Sequence, residues 1–448
     1  MILSLPVRLP RLHPLFRLGG VGLLIGFFSG CATEHRSYYP DGSSVIQPDA
    51  DHSAPVAVIE FDERGDFWDP SQVREADRII RAKPSPILVT YVHGWRHDAR
   101  ESDGDLKAFR RFLHDLNEGL QQKVCGVYIG WRGASVQEEK AARWFSQPAA
   151  LLSFWGRKKI TDQMAGVPFT RTLWHLAASS RNRDGHSILI GHSFGGRIVE
   201  HTLGPTAIAQ MNNSEPMPYN LTFLINPASE SLYARQLKLA LSNWKSTQPA
   251  VVALSARDDF ATGKAWPPAM HKPSRIRDRD YVLNLPKPRD RESQKGYVTR
   301  TVGNDERQWT HVVTIGESSP RSAVENMTAQ NMRSPTPDSF EIRLRGDMAG
   351  QTATCRLMPL CETNADHQIK SNAYWVIPLE KSILSGHGGI ANEGGIFCPS
   401  MGDLMAGIIR KVGADRKDAP TVTASHPGDT QKSDAPPPSK FQFPLTLP

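Results

Sequence analysis

The pentapeptide Gly191-His192-Ser193-Phe194-Gly195 sets a serine hydroxyl between two glycines in the pattern G-x-S-x-G. The pattern alone is weak, but its surroundings strengthen it. It follows the apolar run Ser187-Ile188-Leu189-Ile190 without a gap, and Gly196-Arg197-Ile198-Val199-Glu200 after it can start a helix. A serine in so sharp a strand-to-helix turn needs glycines on both sides, because a Cβ there would crowd the backbone. The turn lifts the hydroxyl above the sheet, close to a helix N-terminus that favours negative charge.

A hydroxyl at its free pKa is a poor nucleophile, so it needs an imidazole base, and a carboxylate must hold that imidazole in the right tautomer. It also needs donors for the oxyanion of a tetrahedral intermediate. The amide of Phe194, directly after the serine, is one candidate donor. The amide of Trp95 is the second, since His93-Gly94-Trp95 closes the apolar run Ile87 to Val92 and Gly94 permits a tight backbone. On such a sheet the acid follows the serine and the histidine comes last, which excludes His93, His97, His114 and His175 as the base. Asp258 and Asp259 lie just past the run Val251 to Ala256, and His387 lies in Ser385-Gly386-His387-Gly388-Gly389, past Asn372 to Pro378. His271, His311 and His367 compete as bases, but none follows a strand as His387 does. Successive side chains in extended backbone point to opposite sides, so one of the two aspartates is expected to orient the histidine. His192, inside the motif, reads as packing beside the turn.

These residues need a scaffold in which strands and helices alternate. Val56 to Phe61 reads as a strand; Asp69, with Pro70 and Gln72 after it, caps a helix carrying Val73, Ala76 and Ile80 on one face. Ile87 to Val92 is an apolar run of the kind buried on both faces of a sheet. Leu106, Phe109, Leu113, Leu116 and Leu120 recur at helical spacing, and Val124 to Ile129 is another buried strand. The aromatic segment Trp144 to Trp155 reads as packing or as the lining of an acyl pocket. A helix near Phe169 to Ser180, the strand before the serine, Leu221 to Ile225, a helix around Ala234 to Trp244, Val251 to Ala256 and Asn372 to Pro378 complete the series. Such alternation implies a parallel sheet with helices on both faces. Residues 266–369, rich in Pro, Arg and Asp with short apolar runs such as Phe340 to Leu344, interrupt the rhythm and read as an insertion.

The chain of 448 residues is 39% apolar and 22% charged, ordinary for a globular protein, and its 35 glycines and 34 prolines imply many turns and unstructured ends. The net charge of +7 includes Arg8, Arg11 and Arg17, and no Lys/Arg cluster is interleaved with aromatics, so nucleic acid is not an expected partner. Residues 1–30 carry a basic start and the apolar run Val21 to Phe28, about half the ~20 residues of a spanning helix, and read as a secretion signal. Ser29-Gly30-Cys31 resembles the lipobox of bacterial lipoproteins, with Cys31 as the lipidated residue, although Phe28 stands where leucine is usual. An ordinary cleaved signal and an uncleaved anchor are the alternatives. Ala32, rather than aspartate, points to the periplasmic face of an outer membrane. Residues 31–54 read as a flexible tether, 55–412 as the folded domain, and 413–448, with Pro436-Pro437-Pro438, as a disordered tail. Cys125, Cys355, Cys361 and Cys398 allow three pairings in an oxidising compartment, or free buried thiols.

Over about Pro55 to Ile409 the chain resembles the α/β-hydrolase superfamily, and more closely a set of bacterial esterase-like members. The resemblance is carried by Tyr91-Val92-His93-Gly94, Gly191 to Gly196, Leu224-Ile225-Asn226-Pro227-Ala228, Asp259 with Ala261-Thr262, and Tyr374-Trp375-Val376 leading to Gly386-His387. It implies the α/β-hydrolase fold and a Ser193, Asp259, His387 triad, with Asp259 favoured over Asp258. About 130 residues part acid from histidine, where this fold usually has a few tens. The expected activity is hydrolysis of a carboxylic ester or lipid-like acyl bond through an acyl-enzyme, with no metal or organic cofactor, at a membrane reached through the lipid on Cys31. The alternative is a catalytically silent lipoprotein of the same fold that binds or scaffolds an envelope partner.

Overall fold

The computed structural model describes residues 37–39, 44–120, 124–133, 148–213, 217–244, 246, 248–270, 291–316, 338–360, 372–388 and 395–417. The leader, Cys31, Cys361, His271, His367 and the tail beyond residue 417 lie outside them, as do the side chains of the aromatic segment at 144–155.

Strands β1 (Val45–Ile46), β2 (Val56–Glu60), β3 (Ile87–Val92), β4 (Val124–Gly130), β5 (His186–His192), β6 (Leu221–Ile225), β7 (Val251–Ala256), β8 (His311–Ile315), β9 (Asp338–Arg343), β10 (Thr352–Pro359) and β11 (Tyr374–Leu379) form two sheets. The central sheet runs β1-β2-β4-β3-β5-β6-β7-β11, and β8-β10-β9 is a separate sheet. Every pairing of the central sheet is parallel except that of β1 with β2. The chain is thus mixed α/β with a mostly parallel central sheet.

Alternation along the strands divides the core. Ile87, Val89 and Tyr91 of β3 face one side with Val124 and Tyr128 of β4, while Leu88 and Val92 face the other with Cys125, Val127 and Ile129. Helices α1 (Ser71–Arg81), α2 (Gly104–Leu120), α3 (Pro148–Met164), α4 (Val167–Arg181), α5 (Phe194–Asn213), α6 (Ser231–Ala240), α7 (Trp266–Met270), α8 (Arg291–Thr299) and α9 (Pro399–Lys417) connect or flank the strands. Leu106, Phe109 and Leu113 of α2 and Met401, Leu404 and Ile408 of α9 cover the first face. Val73 and Ile80 of α1, Leu173 of α4, Ile198 of α5 and Leu237 of α6 cover the second. Each fully buried aliphatic side chain of this kind contributes about 1.5–3 kcal/mol. Among the described residues no helix is long and apolar enough to cross a membrane.

Both ends of the folded domain and one helix start differ from expectation. Residues 31–54 are not all tether: Tyr38 and Tyr39 donate backbone N–H bonds to the buried carboxylate of Glu60, Ser37 bonds it through its hydroxyl, and Val45–Ile46 adds the edge strand. A buried carboxylate must be satisfied, and the polar strap that satisfies Glu60 has the composition of a linker. Gln72 does not reach back to close a capping box; its side chain accepts from the Glu60 amide at 2.7 Å, while Asp69 Oδ1 accepts from the Ser71 amide. Within the 266–369 insertion, whose form the residues left open, Val313, Ile342 and Leu357 of a three-stranded antiparallel sheet pack into the first face with α9. That last helix runs through Lys417, past the expected domain end at 412.

Candidate active site

Strand order fixes where a site can form. From β3 the chain steps to β4 on one side, and β5 then pairs with β3 on the other, so a crevice opens beyond the C-terminal ends of β3 and β5. Ser193 follows β5 there with φ +54°, a left-handed conformation that a non-glycine residue adopts only where its surroundings enforce it. Three backbone bonds enforce it: the Ser193 amide donates to Ile225 O at 3.0 Å, and its carbonyl accepts from Arg197 and Ala228. A Cβ on Gly195 would lie 2.1 Å from the Val92 carbonyl oxygen and 2.5 Å from that of His93. The elbow therefore seats directly on the end of β3, which only glycine allows.

The loop after β3 abuts the nucleophile, since a Cβ on Gly94 would come within 3.1 Å of the Ser193 Cβ. Trp95 follows, its ring 6.4 Å from that of Phe194, so the two residues whose amides were expected to receive an oxyanion lie on adjoining segments. His93 holds this loop and does no more. Its Nε2 accepts from the Trp131 amide at 3.0 Å, its Nδ1 donates to Gly94 O at 2.9 Å, and burial pushes it down to about 4, so it is neutral. His97 on the same loop is the opposite case. Burial opposes its charge, but Asp105 and Asp103 outweigh burial and raise it to about 9, with Asp103 Oδ1 at 3.1 Å.

The expected base comes from the far end of the chain. His387 Nε2 lies 2.7 Å from Ser193 Oγ, and its Nδ1 lies 2.8 Å from Asp259 Oδ2. Asp259, just past β7, is 2% exposed, yet burial does not neutralise it. The His387 imidazole and the Thr262 donors hold the carboxyl below its ordinary range. Those donors are the Thr262 hydroxyl at 2.5 Å and amide at 3.2 Å, with the Ala261 amide at 2.8 Å. Asp259 is thus a fixed anion on the imidazole Nδ1, and Nε2 is left to accept from the serine.

Asp258 takes a different part. It accepts from Ser385 Oγ and from the Gly386 amide, both at 2.7 Å, so it binds the base loop rather than the base. Two further residues do the same without having been expected to. Asn226, past β6 with φ +44°, donates to Gly386 O at 3.1 Å and accepts from the Ala256 amide at 2.8 Å. His192 donates from Nε2 to His387 O at 2.8 Å. The available signal was positional: each stands at the C-terminal end of a strand at or beside the nucleophile.

Of the competing histidines, His311 is half-buried on β8 with its ring 4.2 Å from that of Trp375, and desolvation pushes it down to about 3. Cys125, Cys355 and Cys398 are buried free thiols, the first two pushed up to about 12 by burial. Among the described residues no group of His, Cys, Asp and Glu is arranged to hold a metal ion.

No protein-family profile and no curated protein matches the chain. Among solved structures it is similar to the phospholipase PlaB from Legionella pneumophila, alone and in complex with thio-NAD, at 12% identity and a TM-score of 0.30. The match covers 74% of this chain and 63% of that one.

Proposed function

We propose that this protein is a membrane-associated serine hydrolase of the α/β-hydrolase fold that cleaves a carboxylic ester or lipid-like acyl bond through an acyl-enzyme on Ser193. The observation that carries this reading is the chain of contacts from Ser193 Oγ through His387 Nε2 and Nδ1 to Asp259, at 2.7 and 2.8 Å, on a left-handed elbow. His387 takes the serine proton as Oγ bonds the acyl carbon, and Asp259 stabilises the imidazolium that forms. The amides of Phe194 and Trp95 receive the oxyanion, and the helix N-terminus that Phe194 opens adds a favourable field. His387 then gives its proton to the leaving alcohol as the old C–O bond breaks. Water, deprotonated by the same nitrogen, hydrolyses the acyl-serine and restores the hydroxyl. Purified protein should be labelled by a fluorophosphonate probe, and Ser193→Ala should abolish both labelling and turnover of short acyl esters while circular dichroism stays unchanged. A folded wild-type protein that resists the probe would instead make the chain a silent scaffold.

The acyl substrate is assigned to a membrane through the lipid on Cys31, at the periplasmic face of the outer membrane. Glu60 is the last residue of β2, so Ser37 docks on the same C-terminal edge of the parallel strands as Ser193. Ser37 is six residues beyond Cys31, a reach of about 20 Å at most, which supports a lipid on the same side as Ser193. Cys31→Ser should release the protein from membranes or stall it as precursor. An unmodified mature N-terminus downstream of Cys31, read by mass spectrometry, would remove the anchor and leave the hydrolase.

A further inference from the structure

His192 directly precedes the nucleophile, and its ring fills a slot between two catalytic segments. A Cβ on Gly94, in the loop beside Ser193, would lie 2.9 Å from its Nδ1; one on Gly388, in the base loop, would lie 3.3 Å from its Nε2. Both neighbours are therefore glycines packed on the imidazole, and Gly388, at φ +86°, also needs to be one for its backbone. The ring is 5% exposed, and its centroid is 5.3 Å from that of His387. Only a protonated Nε2 can bond the His387 carbonyl at 2.8 Å, so the tautomer is set and Nδ1 carries a lone pair with no partner among the described residues. A buried acceptor left unsatisfied is costly, and a leucine or phenylalanine would avoid that cost. The donor is what those residues cannot supply.

We infer that His192 is a positioning residue: through its Nε2–H it pins the main chain of His387, so that the proposed nucleophile and base are held by adjacent residues of one elbow. The inference rests on the hydrolase reading above. The geometry makes the coupling specific. Asp258 and Asn226 hold Ser385 and Gly386, which orients the loop, whereas His192 bonds the residue that bears the imidazole. Neutrality is part of the function, because a second positive charge this close would oppose the imidazolium that forms on His387 during turnover. Burial, with His387 adding to it, pushes His192 down to about 3.

The test compares His192→Leu, which keeps bulk and loses the donor, with His192→Gln, whose amide nitrogen reaches the position of Nε2. His192→Leu should lower kcat by about 10- to 100-fold with KM within twofold, and His192→Gln should recover to within about fivefold of wild type. A readout independent of turnover is the low-field NMR signal of the His387 Nδ1 proton shared with Asp259: present in wild type and His192→Gln, broadened or lost in His192→Leu. If the signal is intact in His192→Leu, or if kcat is unchanged, the positioning role is overturned. If the signal follows the donor while wild type shows no hydrolysis, the positioning role stands and the hydrolase reading falls. A His192→Leu protein that fails to fold moves the comparison to His192→Asn, whose shorter amide cannot reach the carbonyl; wild-type kcat and signal in that variant would overturn the inference equally.

Discussion

The nucleophile elbow and the base loop hold the two ends of one hydrogen bond, but by different means. The elbow is fixed by sterics: Gly195 seats on the carbonyls of Val92 and His93, and backbone bonds to Ile225, Arg197 and Ala228 leave Ser193 one conformation. The base loop is fixed by polar side chains from other strand ends, with Asp258, Asn226 and His192 each taking one or more backbone or hydroxyl groups of residues 385–387. Steric fixation is all-or-none. Polar fixation is graded and depends on residues far apart in sequence. The two ends should therefore fail differently when altered.

Gly195→Ala should give the largest effect. A methyl group 2.1 Å from a backbone oxygen cannot be absorbed by a side-chain movement, so the elbow must shift as a whole. Loss of measurable esterase activity together with a lowered melting temperature is expected. A Gly195→Ala protein with wild-type melting and turnover would show that the elbow is not sterically set.

Next come the two aspartates, identical in chemistry and unequal in contact. Asp259→Asn removes the anion on Nδ1 and should cut kcat by about 10⁴-fold, as in other triads. Asp258→Asn keeps an acceptor oxygen for Gly386 or Ser385 and should cost about tenfold or less. Both are measured at equal folded concentration. Equal losses would mean that orienting the loop matters as much as orienting the ring, and the reverse order would move the acid to Asp258.

The smallest effect concerns the loop after β3, where polar fixation carries a charge. His97 is raised to about 9 from its ordinary 6.5, and the groups facing it are Asp98, Asp103, Asp105 and the neutral His93. The folded state holds that proton more tightly than the unfolded chain. Its stabilisation is therefore complete below about pH 6.5 and is lost as pH rises through about 9. The wild-type melting temperature should fall by roughly a few degrees between pH 7 and 9.5 on this account, and His97→Gln should flatten that decline. A parallel decline in both proteins would assign it to other groups.

The same contrast explains how much residues alone could reveal. Strands β3 to β7 and the elbow are written locally, in continuous apolar runs and in glycines at fixed offsets, and their expected positions lie within a residue or two of the observed strands. The base and its carboxylate were reachable only through chain order and through the loops that leave the C-terminal ends of the strands. Asn226 and His192 carry no local signature, because a hydrogen bond across 160 or 195 residues leaves no spacing to detect. The strap at 37–39, strand β1 and the sheet β8-β10-β9 escaped sequence reasoning for a related cause. Two-residue or half-exposed strands show too little alternation, and Glu60, which organises the strap, looks like any other charged residue.

Asp259 and His387 leave from β7 and β11, which are hydrogen-bonded neighbours, yet the two residues stand 128 positions apart. Closing a chain excursion costs about 0.6 kcal/mol for each doubling of its length, so the separation is thermodynamically inexpensive, but it imposes an order of events. During synthesis Ser193, its elbow and Asp259 emerge long before the last strand, and the hydroxyl has no base until β11 has docked on β7. On the proposed hydrolase reading, a truncated or half-assembled chain would therefore carry Ser193 without its base, and topology would keep the molecule latent until assembly is complete.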